Sequence, residues 1–83
     1  MRFIADVTVM PLEQLLDPQG KAVEMGLAQI GIKDIKAVRV GKNIRIELEA
    51  SNTEEAEQKV RQASEQLLCN PITEYFTYQI VSK

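Results

Sequence analysis

Residues 38–48 read VRVGKNIRIEL, two runs of alternating apolar and polar residues around a short turn. Such alternation predicts β-strands that are buried on one face. A three-residue loop at 41–43 pairs Val40 with Ile44 and keeps all the β-branched side chains of the stretch on one face. A two-residue loop would divide them between the two faces of the sheet. The stretch therefore predicts a hairpin of two strands, near Ile35–Val40 and Ile44–Ala50.

The residue pattern on either side of this hairpin predicts four further elements. Phe3–Met10 alternates and predicts another strand with one buried face. Asp17 is a favoured helix N-cap and Pro18 fits the first helical position, so a helix is expected from there to Gly31. Gly26 inside that helix predicts close approach of a neighbouring element. The remaining elements are a helix that begins near Ser51–Glu55 and stops at Asn70-Pro71, and a strand that carries Phe76, Tyr78 and Ile80.

The order of elements is βαββαβ, in a single domain over residues 1–83. Two βαβ halves with right-handed crossovers predict an α+β, two-layer sandwich of the ferredoxin-like type. We expect a four-stranded antiparallel sheet with both helices on one face. The opposite face is expected to meet water or another protein, and it would carry Ile4, Asp6, Thr8, Arg39, Arg45, Glu47, Glu49, Tyr75, Thr77 and Gln79.

Composition excludes several classes of function. Histidine is absent and Cys69 is the only cysteine, so the commonest general base and an internal disulfide are both missing. The net charge of −2 provides no cationic field for nucleic acid or an anionic membrane. No phosphate-binding glycine motif is present. We expect a cytoplasmic chain that lacks catalytic residues, a metal site and a cofactor of its own.

Three motifs nevertheless resemble a known family. They are LDPQGKAVE at 16–24, VRVGK at 38–42 and LLCNPI at 67–72, in this order and spacing. Together they resemble the PurS family, the small subunit of phosphoribosylformylglycinamidine (FGAM) synthase. The resemblance extends over essentially the whole chain.

This resemblance implies a non-catalytic subunit in de novo purine synthesis. In the family, a glutaminase subunit releases ammonia, and a large synthetase subunit uses ATP and Mg to activate the substrate amide that the ammonia attacks. The resemblance implies that this chain bridges the glutaminase and synthetase subunits and assists ammonia transfer. It also implies a homodimer or a dimer of dimers.

The stretch Asp17-Pro18-Gln19-Gly20 combines a rigid helix start with a residue that has no side chain. Our hypothesis is that a partner subunit contacts a surface containing Asp17, Gln19, Gly20, Arg39 and Lys42. Gly20 would permit another backbone to approach closely, or alternatively would relieve crowding beneath Leu15 and Leu16.

One alternative function fits the same order of elements. An ACT-like regulatory domain senses a small molecule near the loop after its first strand, and Asp17–Gly20 is compatible with such a site. RNA binding is disfavoured, because the central strands would offer charged side chains where RNA-recognition modules place stacking aromatic residues.

Overall fold

The computed structural model describes all residues, 1–83. Its strands are β1 (Arg2–Pro11), β2 (Lys42–Glu49) and β3 (Glu74–Ser82). Its helices are α1 (Pro18–Gln29) and α2 (Thr53–Ala63), and a single π-helical turn over Ser64–Leu68 follows α2. No helix has both the length and the hydropathy to cross a bilayer.

The three strands form one antiparallel sheet in the order β2-β1-β3. Val7 lies in the middle of β1, opposite Ile44 of β2 and Tyr78 of β3. Because β1 is the central strand, its inward side chains are covered on both sides by neighbouring strands and from above by α2. Phe3, Ala5, Val7 and Val9 are accordingly the most deeply buried apolar residues of the sheet.

The predicted four-stranded sheet is wrong. The strand expected at Ile35–Val40 is absent, and the sheet of this chain has three strands. The hairpin fails because the Val40 N–H is donated to the Asp17 carboxylate, 2.8 Å away, instead of to a carbonyl of β2. Residues 32–40 therefore lie outside the sheet, since a strand requires a neighbour to accept and donate its backbone hydrogen bonds.

The second helix follows its sequence signals closely. Asn52 is its N-cap, and the Asn52 side chain accepts a hydrogen bond from the Glu55 N–H at 2.8 Å. The Glu55 carboxylate in turn accepts from the Ser51 N–H at 3.2 Å, which completes a capping box. Ala56 and Val60 are fully buried against the sheet. This helix packs along β3 and over β1, and it leaves the β2 side of the sheet uncovered.

The first helix has the predicted ends but not the predicted place. Its N-cap is Asp17, and Gly31 takes a positive φ of 89° in a Schellman motif in which the Ile32 N–H reaches the Leu27 carbonyl. Neither the sheet nor α2 packs along this helix. The expectation that both helices lie on one face of the sheet is therefore wrong.

The helix and the chain that returns from it form a projection, which we call the arm (residues 18–40). A Cβ atom added at Gly26, in the middle of the arm, would meet nothing within 4 Å. The prediction that Gly26 marks a close approach is thus wrong within this chain. The arm lengthens the molecule to 50 × 27 × 14 Å and raises its radius of gyration to 16.2 Å, against about 12 Å for a compact chain of this length.

Candidate functional site: the junction between sheet and arm

One carboxylate at the base of the arm, that of Asp17, binds backbone groups at both ends of the arm. Asp17 Oδ1 accepts from the Gly20 N–H at 3.0 Å, and Asp17 Oδ2 accepts from the Val40 N–H at 2.8 Å. The residue is only 8% exposed. The hydrogen bond from Val40, and then that from Gly20, hold the pKa of Asp17 below its ordinary value. One side chain therefore caps α1 and also fixes the strand-like segment that runs back along it.

Gly20 is required by a close backbone approach. A Cβ atom at this position would overlap the carbonyl oxygen of Val38, and it would also lie 2.9 Å from Asp17 Oδ2. The backbone that approaches Gly20 belongs to the same chain. Gly41 is equally crowded, because a Cβ there would overlap the Val9 carbonyl oxygen and the Met10 sulfur. The two glycines thus allow the two ends of the arm to pass beside each other and beside the end of β1.

Arg39 closes the junction from the other side. Its Nη1 donates to the Leu15 carbonyl at 2.9 Å, and its Nη2 donates to the Leu12 carbonyl. These two carbonyls lie in the loop between β1 and α1, where the Leu12 carbonyl also accepts from the Leu15 N–H at 3.1 Å. The guanidinium therefore holds this loop against the returning segment of the arm. We define the junction as Asp17, Gly20, Val38, Arg39 and Val40.

The five residues of the interface hypothesis are brought together at this point. Asp17, Gly20 and Arg39 use their polar groups or their lack of a side chain within the junction itself. Gln19 and Lys42 are exposed, and they line an adjoining cleft of about 270 Å³. The other residues that line this cleft are Val9, Pro11, Leu16, Asp17, Val40, Gly41 and Glu74.

Sequence reasoning missed three residues of this region. The alternation at 35–40 predicts a strand that contains Val38 and Val40, whereas the structure places Val40 against Asp17 and Val38 against Gly20. Gly41 was assigned to a turn. The available signal was the presence of two glycines, Gly20 and Gly41, at the two ends of the arm, because glycine often marks the place where two backbones cross closely.

The face of the sheet away from α2, which we call the outer face, carries a network of ion pairs. Arg2 contacts Glu49 at 2.7 Å and Glu47 at 3.4 Å, and Lys83 contacts Glu47 at 2.8 Å. Arg45 and Asp6 pair across β1 and β2 at 3.0 Å. These contacts lower the pKa of Glu47 and of Glu49. Each of these three carboxylates is therefore paired with at least one cation.

The arm carries five of the exposed large apolar residues of the chain. Ile30 is 72% exposed, and Val23, Met25, Ile32 and Ile35 are exposed as well. The inward side chains of β2 are half-buried, as are those of β3; in β2 these are Ile44, Ile46 and Leu48. Both surfaces point to contact with another molecule rather than to a catalytic centre.

The family model PurS, described as phosphoribosylformylglycinamidine (FGAM) synthase, matches residues 4–82. The chain belongs to the PurS family. PurS proteins are subunits of FGAM synthase in purine biosynthesis, and they act within that enzyme complex.

Relatives and solved structures agree with this assignment. An Archaeoglobus fulgidus protein named phosphoribosylformylglycinamidine synthase subunit PurS is 38% identical over 74 residues, which is 89% of this chain and 92% of the relative. The structure of Thermus thermophilus PurS is similar with a TM-score of 0.91 at 34% identity, covering 100% of this chain and 99% of that one.

A third comparison concerns an assembly. The structure named PurLQS from Thermotoga maritima contains a chain similar to this one with a TM-score of 0.89 at 32% identity, covering 98% of this chain and 99% of that one. Three strands and a projecting arm are therefore compatible with the PurS fold. The family match also decides between the two functions considered from sequence, and it favours the FGAM synthase subunit over an ACT-like sensor.

Proposed function

We propose that this chain is the non-catalytic small subunit that bridges the glutaminase and synthetase subunits of FGAM synthase and assists ammonia transfer between them. The observation that carries the proposal is that a member of the PurS family exposes apolar surface of the kind that contacts other proteins. The side chains of Asp17 and Arg39 bind backbone groups of the chain itself. In this assembly ATP and Mg belong to the synthetase subunit, and the complex works in the cytoplasm.

A second part of the proposal is self-association as a homodimer or a dimer of dimers. The chain exposes 6092 Å², which is about 1,100 Å² more than a compact 9.3 kDa protein would expose. A standard interface takes only about 800 Å² from each partner. The arm contributes to this excess, because five of its large apolar side chains are exposed. Association of copies would remove this surface from water and would stabilise a short chain.

The structure indicates which residues of the interface hypothesis can be substituted to test contact with the other subunits. Within the set Asp17, Gln19, Gly20, Arg39 and Lys42, only the side chains of Gln19 and Lys42 are exposed at the cleft. Substitution of the other three would disturb the junction and would confound any binding result. Gln19 is the better probe, because its side chain makes no hydrogen bond within the chain that a substitution would remove.

A reconstitution assay tests the bridging role. Glutaminase and synthetase subunits are mixed with and without this chain, and FGAM formation is measured with either glutamine or ammonium chloride as nitrogen donor. We expect the chain to raise the glutamine-dependent rate by at least about tenfold and to leave the ammonium-dependent rate unchanged. Equal glutamine-dependent rates with and without the chain would reject the proposal.

A pair of variants tests the position of the contact. Gln19→Arg places a bulky cation in the cleft, whereas Gln58→Arg places the same cation on the exposed side of α2. We expect only Gln19→Arg to lose co-elution with the other subunits, with both variants melting like the parent chain. Normal co-elution of Gln19→Arg would remove the cleft from the interface.

A further inference from the structure

We propose that the free edge of β3 binds an extended, basic segment of another FGAM synthase subunit as an added strand. This edge lies on the opposite side of the sheet from β2 and from the arm. The inference deepens the proposed bridging role and rests on it, because it names a surface through which the chain holds a partner. The partner segment has uncharged side chains along the strand and a lysine or arginine at one end.

The first argument comes from the direction of the backbone groups of β3. The Lys83 N–H donates to the carbonyl of Arg2, which stands directly opposite, at 2.8 Å. Hydrogen-bonded pairs alternate along an antiparallel ladder, so the odd-numbered residues of β3 bond to β1. The even-numbered residues therefore direct their N–H and C=O groups to the free edge, where no strand of the chain lies; these are Phe76, Tyr78 and Ile80.

The second argument is that the interior of β3 has none of the features that keep an edge strand from pairing. Residues 75–82 read YFTYQIVS and contain no charged residue, no proline and no glycine. The register with β1 is unbroken from Glu74 to Ser82, so no bulge turns the edge away. An edge strand of this kind is a template to which another chain adds by main-chain hydrogen bonds.

The third argument concerns the charge beside this edge. Arg61 of α2 reaches over β3, where its Nη2 donates to the Tyr78 hydroxyl at 3.0 Å. Glu57 and Glu65 lie four residues before and after Arg61, on the same side of the helix. The flank of α2 that overlooks the edge thus has two carboxylates for one guanidinium. A cation on the added strand would balance this charge.

A cleft of about 300 Å³ at the start of β3 provides a place for that cation. Apolar side chains and two carboxylates line it; the lining residues are Glu65, Cys69, Pro71, Glu74, Tyr75 and Phe76. A lysine or arginine side chain matches such a lining, because its aliphatic stem packs on apolar surface while its cation pairs with a carboxylate. No cation of this chain lines the cleft.

A second copy of β3 matches the same edge less well. Its residues 75–82 contain no lysine or arginine, so the added strand itself would bring no cation to the cleft. A basic segment of a different protein supplies both the main-chain groups and the charge. Within the proposed assembly, that protein is the glutaminase or the synthetase subunit.

Amide hydrogen exchange tests the added strand directly. Exchange is followed by mass spectrometry at single-residue resolution, for the chain alone and in the reconstituted complex with the glutaminase and synthetase subunits. We expect the amides of Phe76, Tyr78 and Ile80 to exchange at least about tenfold more slowly in the complex. The amides of Thr77 and Gln79 donate to β1 within the chain, so they are the internal control and should change much less.

Charge reversal tests the cleft. Glu65→Lys places a cation among the residues that line it, whereas Gln66→Lys places the same cation at the next position, which is exposed and outside the cleft. We expect Glu65→Lys to weaken binding to the other subunits by about 10–100-fold in dissociation constant. We expect Gln66→Lys to leave it unchanged. Equal constants for the two variants would overturn the assignment of a basic side chain to the cleft.

The outcomes separate this inference from the proposed function. Unchanged exchange at the three edge amides, in a complex that forms FGAM from glutamine, would overturn the added strand and leave the bridging role standing. Protection of these amides in the chain alone, rising with its concentration, would assign the edge to a second copy and would also overturn the proposal. The reconstitution assay judges the bridging role by reaction rates alone, so the two failures are distinguishable.

Discussion

The sheet and the arm are built from comparably apolar sequence, yet they bury it to very different degrees. Val7 in the centre of the sheet is 0% exposed, whereas Ile30 at the end of α1 is 72% exposed. The sheet satisfies its central strand from both sides and receives α2 above it. The arm has only its own returning segment as a neighbour. The difference shows that the apolar side chains of the sheet are covered by contacts within the chain, whereas those of the arm are not.

The largest expected effect on the free energy of unfolding is therefore that of a core substitution in the sheet. Phe3 is 1% exposed and packs against Ala50 and Ala56, so Phe3→Ala leaves a cavity that the neighbouring small residues cannot fill. We expect a loss of about 3–5 kcal/mol in the free energy of unfolding, measured by urea denaturation.

Tyr75→Ala is the matched control on the outer face of the same sheet, where the ring is partly exposed. We expect it to cost less than about 1 kcal/mol. Similar losses for the two variants would contradict the assignment of the core to the α2 side of the sheet.

The second largest effect is expected for a substitution in the arm, which should weaken self-association rather than the stability of the fold. Ile30→Ser and Ile72→Ser remove similar apolar side chains, which are 72% and 81% exposed in the chain. Because Ile30 belongs to the arm, we expect Ile30→Ser to weaken self-association by about 10–100-fold in dissociation constant. We expect Ile72→Ser to leave it unchanged. Sedimentation equilibrium measures both, and equal constants would remove α1 from the interface.

The same comparison explains which parts of the fold could be predicted from the sequence. Alternation in β1, the start of the second helix within Ser51–Glu55 and the end of the first helix at Gly31 all depend on near neighbours or on the core, and the structure has each of them in its expected place. The segment 35–40 carries an equally clear strand pattern. Pattern shows that a side chain will be buried on one face, but it does not show which chain supplies the neighbour.

The junction was only partly predictable for a related reason. Asp17 and Pro18 mark the start of a helix in any context, and both were identified on that basis. The second hydrogen bond of Asp17, to the Val40 N–H, joins residues that are 23 positions apart. No local propensity encodes such a contact. It follows from the direction of the arm, and this direction depends on the crowding at Gly20 and Gly41.

The third largest effect is expected for alanine substitutions at two glycines of α1. The same substitution should change the free energy of unfolding in opposite directions at the two positions. A methyl group at Gly20 would overlap the Val38 carbonyl oxygen, whereas a methyl group at Gly26 would meet nothing within 4 Å. We expect Gly20→Ala to lower the free energy of unfolding by about 1–3 kcal/mol. We expect Gly26→Ala to raise it by about 1 kcal/mol through helix propensity.

Thermal and urea unfolding measure both glycine variants, and they should be compared at a low protein concentration, where association contributes least. Stabilisation by Gly20→Ala would show that the arm is not held against its returning segment. Loss of self-association in Gly26→Ala, with a stabilised helix, would place a second copy close to the middle of α1.

The smallest effect is the pH dependence of the junction. Hydrogen bonds from Val40 and Gly20 lower the pKa of Asp17 in the folded chain, so the ionised carboxylate stabilises the fold at every pH above its unfolded value of about 3.9. This stabilisation is lost as the pH falls through the folded pKa.

In Asp17→Asn the side chain does not titrate, so the melting-temperature difference between the two proteins should be constant near neutral pH and should shrink below about pH 4. Glu47, Glu49 and Glu55 titrate in both proteins, and their contributions cancel in that difference. A difference that does not change down to about pH 2 would mean that the Asp17 charge contributes nothing to the junction, and that the arm is held by Arg39 and by packing at Gly20 alone.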